Sequence, residues 1–315
     1  LYVSGKTPRM GTTHDGKSYL DYDAEEIKRK FTIGTSIAPI PYKDYKINVL
    51  DTSGHPDFIC DTLSTMQAAE MALFVVDAVA GPQVMTTKLW REAEGMRLSR
   101  AVFINHIDRE HADFDVAMAT LHARFGSRLG PVTIPIGQDA DFKGVIDIIR
   151  MEARYFGEGD ASERVEPIPA EFADAAQAAR DKLCDLVAEA DDELMMKYLE
   201  GEEQLTQDEL ESLLDKAIAQ ELFIPVFVGS TIIKQGIQGL MEDICTYFPH
   251  PRSHGRFQMA DGTSIPIDET NRPAAFAFKT LSDPFVGRLS FLKVLSGVLE
   301  PGMELTCART QSSER

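Results

Sequence analysis

Lys46-Ile47-Asn48-Val49-Leu50-Asp51-Thr52-Ser53-Gly54-His55 and Ala101-Val102-Phe103-Ile104-Asn105-His106-Ile107-Asp108 are the stretches whose reading decides the fold. Each is a short apolar run ending in polar residues, the pattern of a strand with chemistry at its tip. In the first, Asp51 can hold Mg²⁺ through a water, and Gly54 lets backbone approach so that its N–H can donate to a terminal phosphate oxygen. In the second, Asp108 can accept hydrogen bonds from guanine N1–H and its exocyclic amine, groups that adenine does not present at those positions. Asn105 would tie neighbouring loops together. D-x-x-G alone also marks ordinary turns, and N-x-x-D alone fits a helix-capping Asp. Their occurrence at two strand tips, with Asn105 54 residues after Asp51, points to a guanine nucleotide. No G-x-x-x-x-G-K-[ST] phosphate cradle occurs in the 315 residues.

Three further positions join these. His55 can orient an attacking water, although a His at a strand–helix junction also serves as a surface or capping residue. Gly229-Ser230-Thr231 follows another apolar run, and its backbone N–H groups can meet the guanine carbonyl. Thr32 lies in a polar stretch before the first strand, where a hydroxyl can ligate Mg²⁺ when a terminal phosphate is bound and release it afterwards.

Strands are expected near residues 36–40, 45–50, 72–76, 101–104 and 223–228, with helices over 57–69, 86–98, 114–125 and 236–247. This alternation predicts a mainly parallel α/β sheet. It is interrupted over about 132–222. There, 132–136 and 144–155 read as strands, and apolar positions from Phe172 to Leu186 recur at helical spacing. Leu194, Met195, Tyr198 and Leu199 continue that helix or form a short second one. Thr206 and Glu209 form a capping box before a third. Residues 249–272 read as a linker. Residues 274–279, 288–295 and 303–307 read as strands opening an all-β unit.

Formal net charge is −18, and residues 157–222 hold twenty acidic against five basic residues, so −15 lies in that segment and −3 elsewhere. Such a segment does not grip a nucleic-acid backbone, which argues against DNA as a partner. It suits a solvated helical surface or docking to a basic protein surface. The apolar runs fall short of the ~20 residues a membrane span needs, so no membrane partner is expected. The four cysteines are scattered, without C-x-x-C, which fits a reduced cytoplasmic protein.

With these residues in place the chain resembles a translational GTPase of the elongation factor G group. Arg29-Lys30-Phe31-Thr32-Ile33 resembles the family's R-G-I-T-I switch segment. Residues 51–58, D-T-S-G-H-P-D-F, resemble D-T-P-G-H-x-D-F. Asn105-His106-Ile107-Asp108 resembles N-K-x-D, and Gly229-Ser230-Thr231 resembles G-S-A. Lys197-Tyr198-Leu199-Glu200-Gly201-Glu202-Glu203 resembles part of that factor's inserted subdomain. Asp283-Pro284-Phe285-Val286-Gly287-Arg288-Leu289 resembles the opening of its second, barrel domain. The departures are Ser53 for Pro, Lys30 and Phe31 for Gly and Ile, His106 for a Lys whose stem lies along the base, and Thr231 for Ala.

The resemblance implies GTP/GDP and Mg²⁺ as ligands. Thr32 and Asp51 would serve the ion, Gly54 the γ-phosphate, and His55 the water. Asn105, His106 and Asp108 would serve the guanine, with Gly229, Ser230 and Thr231 lining it. It implies a P-loop GTPase-type mainly parallel sheet over 1–250 with an inserted α+β subdomain at about 132–222, a linker over 251–272, and the start of a translation-factor β-barrel over 273–315. The partner implied is the ribosome, through its large-subunit GTPase-activating region, with its stalk protein docking on the acidic insertion.

Residues 1–5 resemble the end of a helix following the phosphate loop. By the same resemblance the chain is an internal fragment lacking the first strand, that loop and later domains, and on its own it is expected to be unstable and not to bind GTP tightly. Removing a central strand would unpair the edges of its neighbours. Two alternatives are a non-hydrolysing ribosome-binding module without a phosphate loop, and a GTPase serving ribosome rescue or recycling. The insertion argues against release-factor-type relatives, which lack it.

Overall fold

The structure, a computed structural model, describes residues 1–156, 163–200, 205–253, 255–258, 262–283, 285 and 287–314. Of the motifs quoted above, Gly201, Glu202, Glu203, Pro284 and Val286 lie outside the described residues. The chain divides into two units, Leu1–Pro249 and His250–Arg315.

Residues 1–5 carry the hydrogen bonds of a helix C-terminus: Gly5, at φ 74°, donates its N–H to the Tyr2 carbonyl at 2.9 Å, and Lys6 N–H donates to the Leu1 carbonyl at 3.0 Å. The polar stretch read as a loop contains α1 (Ala24–Arg29), opened by a capping box between Asp23 and Glu26. Lys30 ends it with φ 61°, ψ 38°. It thus takes the left-handed conformation favoured by glycine, the residue that the resembling switch motif has at that place.

β1 (Ser36–Tyr42) and β2 (Tyr45–Asp51) then pair antiparallel as a hairpin. The helix expected over 57–69 is shorter. Pro56–Phe58 is a 3-10 turn, and α2 spans Ile59–Met66. Pro56 fixes the entry, and the cap comes from the His55 ring, which holds the Asp57 N–H.

β3 (Met71–Asp77), α3 (Val84–Gly95), β4 (Ser99–Asn105), α4 (Phe114–Phe125) and β5 (Leu129–Pro131) follow. The strand expected over 144–155 is two. β6 (Thr133–Ile136), β7 (Gly144–Asp147), β8 (Glu152–Phe156) and β9 (Glu163–Glu166) form a four-stranded antiparallel sheet in that order. The break after β7 is an Asx turn: Asp147 Oδ1 accepts the N–H groups of Ile149 and Arg150, both at 2.9 Å, and Met151 turns the chain at φ 55°.

α5 (Ala173–Val187) and α6 (Asp192–Glu200) carry the expected helical periodicity. Thr206 and Glu209 cap α7 (Gln207–Ala219) reciprocally. β10 (Ile224–Val228) and α8 (Ile237–Tyr247) close the first unit.

The main sheet runs β3-β4-β10-β5, with each neighbouring pair parallel. β4 is buried at all seven positions, as a parallel strand covered on both faces should be. Its alternation splits the core in two. Val102 and Ile104, with Val226 and Val228 of β10, face Trp90, Phe114 and Leu121 from α3 and α4. Ala101, Phe103 and Phe227 face Leu183, Leu214 and Leu240 from α5, α7 and α8. The insertion's helices therefore share one core with the main sheet. Among the described residues neither β2 nor β3 has a strand on its second edge, so hairpin and sheet are separate.

The second unit is all-β. The stretch expected as a linker carries a hairpin, β11 (Arg256–Gln258) with β12 (Ser264–Pro266). β13 (Ala274–Asp283) pairs antiparallel with β14 (Gly287–Ser296), and β15 (Leu305–Thr306) with β16 (Ser313–Glu314). The strand expected over 303–307 is confined to β15.

Candidate nucleotide site

The first group of predicted residues gathers where β2 runs out towards α2. Phe31, Thr32, Ser53, Gly54, His55 and Pro56 line an open depression of about 420 Å³. The segment after α1 is fastened to α2: Thr35 N–H donates to Asp61 Oδ2 at 2.5 Å, and the Thr35 and Thr65 hydroxyls lie 2.7 Å apart. Thr62 Oγ1 donates to the Ser53 carbonyl at 3.0 Å, fixing the other wall. Gly54 is exposed, and a Cβ built on it meets nothing within 4 Å. Internal packing thus makes no demand for glycine there, and the space around it is open.

His55 stacks on Phe31, with ring centroids 5.6 Å apart and planes 17° apart, and tilts against Phe58. Its Nδ1 accepts the Asp57 N–H at 3.3 Å, so the neutral ring carries its proton on Nε2. The ring is therefore a cap as well as a wall of the depression, with a donor edge left over.

Thr32 Oγ1 donates to Asp21 Oδ1 at 2.7 Å, and Thr13 Oγ1 donates to Oδ2 at 2.9 Å. Glu26 Oε1 accepts the N–H groups of Ile33 and Gly34 at 2.9 and 3.0 Å. Asp21 and Glu26 are buried, and both act on Asp51. Burial first, then these two carboxylates, push the Asp51 carboxyl up to about 6, against a small opposing pull from the Thr52 N–H. Sequence reasoning missed Asp21 and Glu26, which sit in a polar stretch without periodicity.

Oxygen donors with surplus negative charge suit a hard cation. Among the described residues no three acids, histidines or cysteines form a ready-made cage. The Asp51 carboxylate and the Thr32 hydroxyl are oxygen donors of the kind a hard cation takes, and the Thr32 hydroxyl is bound to Asp21.

The second group forms at the ends of β4 and β10. Asn105 Oδ1 accepts the N–H groups of His106 and Thr231 at 2.9 and 3.0 Å, and its Nδ2 donates to Thr231 Oγ1 at 3.2 Å. It clasps the two loops across 126 residues of chain. Gly229 is required by the close approach: a Cβ there would lie 2.3 Å from the Gln235 carbonyl oxygen. His106, at φ 65°, turns the chain so that Asp108 follows one residue after the buried Ile107.

Asp108 Oδ1 and Ser230 Oγ are buried without a hydrogen-bond partner among the described residues. A buried acceptor left unmet is costly, and these two sit on the residues read as facing a base. Asp108 Oδ1 thus keeps acceptor capacity for N–H donors, and the Ser230 hydroxyl can donate or accept. His106, expected to lie along the base, is held by its ring edge, with Nδ1 2.9 Å from Asp77 Oδ2. Asp77 is the other residue missed. It ends an apolar run as Asp51 and Asn105 do, and that was the available signal.

The two groups lie on separate sheets, the β1–β2 hairpin and the parallel sheet.

Residues 1–250 match the model of the elongation factor Tu GTP-binding domain. A crystal structure of a protein from Thermus thermophilus superposes on the chain with a TM-score of 0.87 at 29% identity. The match covers 100% of this chain and 45% of that one, so the chain spans less than half the length of that protein. With most of its length matched, the chain belongs to the elongation factor Tu GTP-binding domain family, the translational GTPases.

Proposed function

We propose that this chain is the guanine-nucleotide unit of a translation factor of the elongation factor G type, which binds and hydrolyses GTP on the ribosome. The observation that carries the reading is the buried, unpartnered Oδ1 of Asp108 beside the Asn105–Thr231 clasp. A carboxylate oxygen with no protein donor keeps acceptor capacity that ligand N–H donors can meet. Asn105 keeps the two loops in register, Gly229 permits their approach, and Ser230 and Thr231 line the base.

At the other group, Gly54 offers backbone N–H to the γ-phosphate, and the Nε2 edge of His55 positions a water. Thr32 and Asp51 would hold Mg²⁺, which would supply neutralisation of phosphate charge. Hydrolysis also requires a phosphate cradle, which the 315 residues do not contain. The acidic helices α5–α7 supply a docking surface for a basic partner, for which the ribosomal stalk is the proposal.

The test is nucleotide binding by the full-length gene product carrying Asp108→Asn. GDP affinity is expected to fall roughly 10- to 100-fold, about 1.5–3 kcal/mol for a hydrogen bond to a charged group. XDP affinity is expected to rise, since the amide can donate to the xanthine 2-oxo group. Unchanged GDP affinity would remove Asp108 from base recognition.

A further inference from the structure

We propose that Asp77 is a positioning residue for base recognition, acting on the Asn105–Asp108 loop through the ring of His106. The inference rests on the reading of that loop as the base reader and adds a residue and a mechanism to it.

The argument starts from the Asn105 amide, whose orientation is set by what surrounds it. Its Oδ1 accepts two backbone N–H groups, from His106 at 2.9 Å and Thr231 at 3.0 Å, so the other terminal atom must be the nitrogen. That nitrogen faces Thr231 Oγ1 at 3.2 Å and His106 Nε2 at 3.3 Å. An amide N–H donates, so Nε2 must accept and carries no proton. The proton of the neutral ring is then on Nδ1, 2.9 Å from Asp77 Oδ2, where it has a carboxylate to meet.

Asp77 is itself fixed. Its Oδ1 accepts the N–H groups of Val79 and Ala80 at 3.0 and 2.9 Å, and its Oδ2 also takes Arg109 Nη1 at 2.9 Å. Although burial pushes its carboxyl up, the Ala80 N–H, the His106 ring, the Val79 N–H and Arg109 together hold it below the usual carboxylate range. It is therefore an acceptor at neutral pH.

The chain Asp77–His106–Asn105–Thr231 thus runs from the tip of β3 across β4 to the loop after β10. Asp77 grips the residues on both sides of Ile107-Asp108. The strand pairing supports this placement, because Asp77 and Asn105 are direct partners in the parallel register, and Ala78 N–H donates to the Asn105 carbonyl at 2.9 Å.

Asp77→Asn breaks this chain with little change of shape. The Val79 and Ala80 N–H groups require an oxygen, which the new amide supplies. Its other atom then becomes a donor facing His106 Nδ1. The ring must move its proton to Nε2, and Nε2–H then points at the donating Nδ2 of Asn105. The clasp loses one contact, and Asp108 loses its fixed place.

The test is a double-mutant cycle on the full-length gene product, with GDP and ADP affinities measured for Asp77→Asn, His106→Ala and the double variant. Asp77→Asn is expected to weaken GDP roughly five- to tenfold, with ADP unchanged, and to weaken GDP by a smaller factor once His106 is alanine, when only the Arg109 contact is left to lose. A merely structural role would weaken both nucleotides and would add to His106→Ala. Equal losses in the two backgrounds, or an unaltered GDP-to-ADP ratio, overturn the proposal. If Asp77→Asn does not fold, His106→Ala alone must lower the GDP-to-ADP ratio, and an unaltered ratio overturns the proposal. Asp108→Asn read with XDP separates the failures. A gain for XDP with no Asp77 effect sinks the role of Asp77 alone, whereas no gain sinks the base-reading assignment and this inference with it.

Discussion

Asp51 ends a strand beside two buried acids, Asp21 and Glu26, and its carboxyl is raised from 3.8 to about 6. The folded chain therefore holds this proton more tightly than the unfolded chain does. The stabilisation is complete below pH 4 and is lost as pH rises through about 6. Above that, folding keeps an ionised carboxylate in an acidic, partly buried place, at a cost of about 3 kcal/mol. Asp51→Asn is then expected to match wild type near pH 4 and to be more stable by up to about that amount near pH 7. Urea denaturation of both proteins across this range checks it; a pH-independent difference would mean that Asp51 is not strained by its neighbours. The same charge is what a divalent cation would relieve, which ties the strain to the proposed ion site.

Between elements, the most heavily built joint is ionic. Arg154 of β8 meets Glu242 of α8 and Glu152 at 2.8 Å, and Asp147 and Glu163 at 3.3 Å. Glu242 turns its other oxygen to Lys43, in the β1–β2 turn, at 3.0 Å. One glutamate thus links the hairpin to the insertion's sheet. The Arg154 side chain is 5% exposed and those of Asp147 and Glu163 2% and 3%, so its removal strands buried charge. Arg154→Ala is expected to cost about 3–5 kcal/mol. Lys43→Ala, at an exposed end of the same network, should cost less than about 1 kcal/mol. Denaturant titration of the two variants checks the contrast, and similar small losses would show that the joint carries little stability.

This joint was illegible in the sequence, because its partners lie as far as 199 residues apart and nothing local marks them. By contrast, β4, α4 and α7 were readable to within a few residues. A continuous apolar run set the first, and a capping box the third. The turn inside 144–155 was lost because Asp147 acts on its own following backbone, a turn signal masked by the apolar residues around it. In the candidate site, motif spacing exposed Asn105 and Asp108. Asp77, Asp21 and Glu26 act through contacts that form only on folding.

At the scale of the whole chain, sheet and hairpin are separate within the first unit. β3 exposes Val75 to 59%, and none of the β2 residues is fully buried. The loops proposed to read the base, in contrast, stand on the fully buried strands β4 and β10. The residues proposed to select the base thus stand on buried strands and the proposed switch residues on a hairpin with less cover, a division suited to a site that must recognise steadily and respond to one phosphate. The central claim is that the loops of β4 and β10 read guanine. Equilibrium competition between GDP and ADP for the full-length gene product tests it most directly. GDP is expected to bind at least roughly 100-fold more tightly, as for a site whose buried polar groups go unpaired with the wrong ligand. Equal affinity for the two nucleotides would contradict the account.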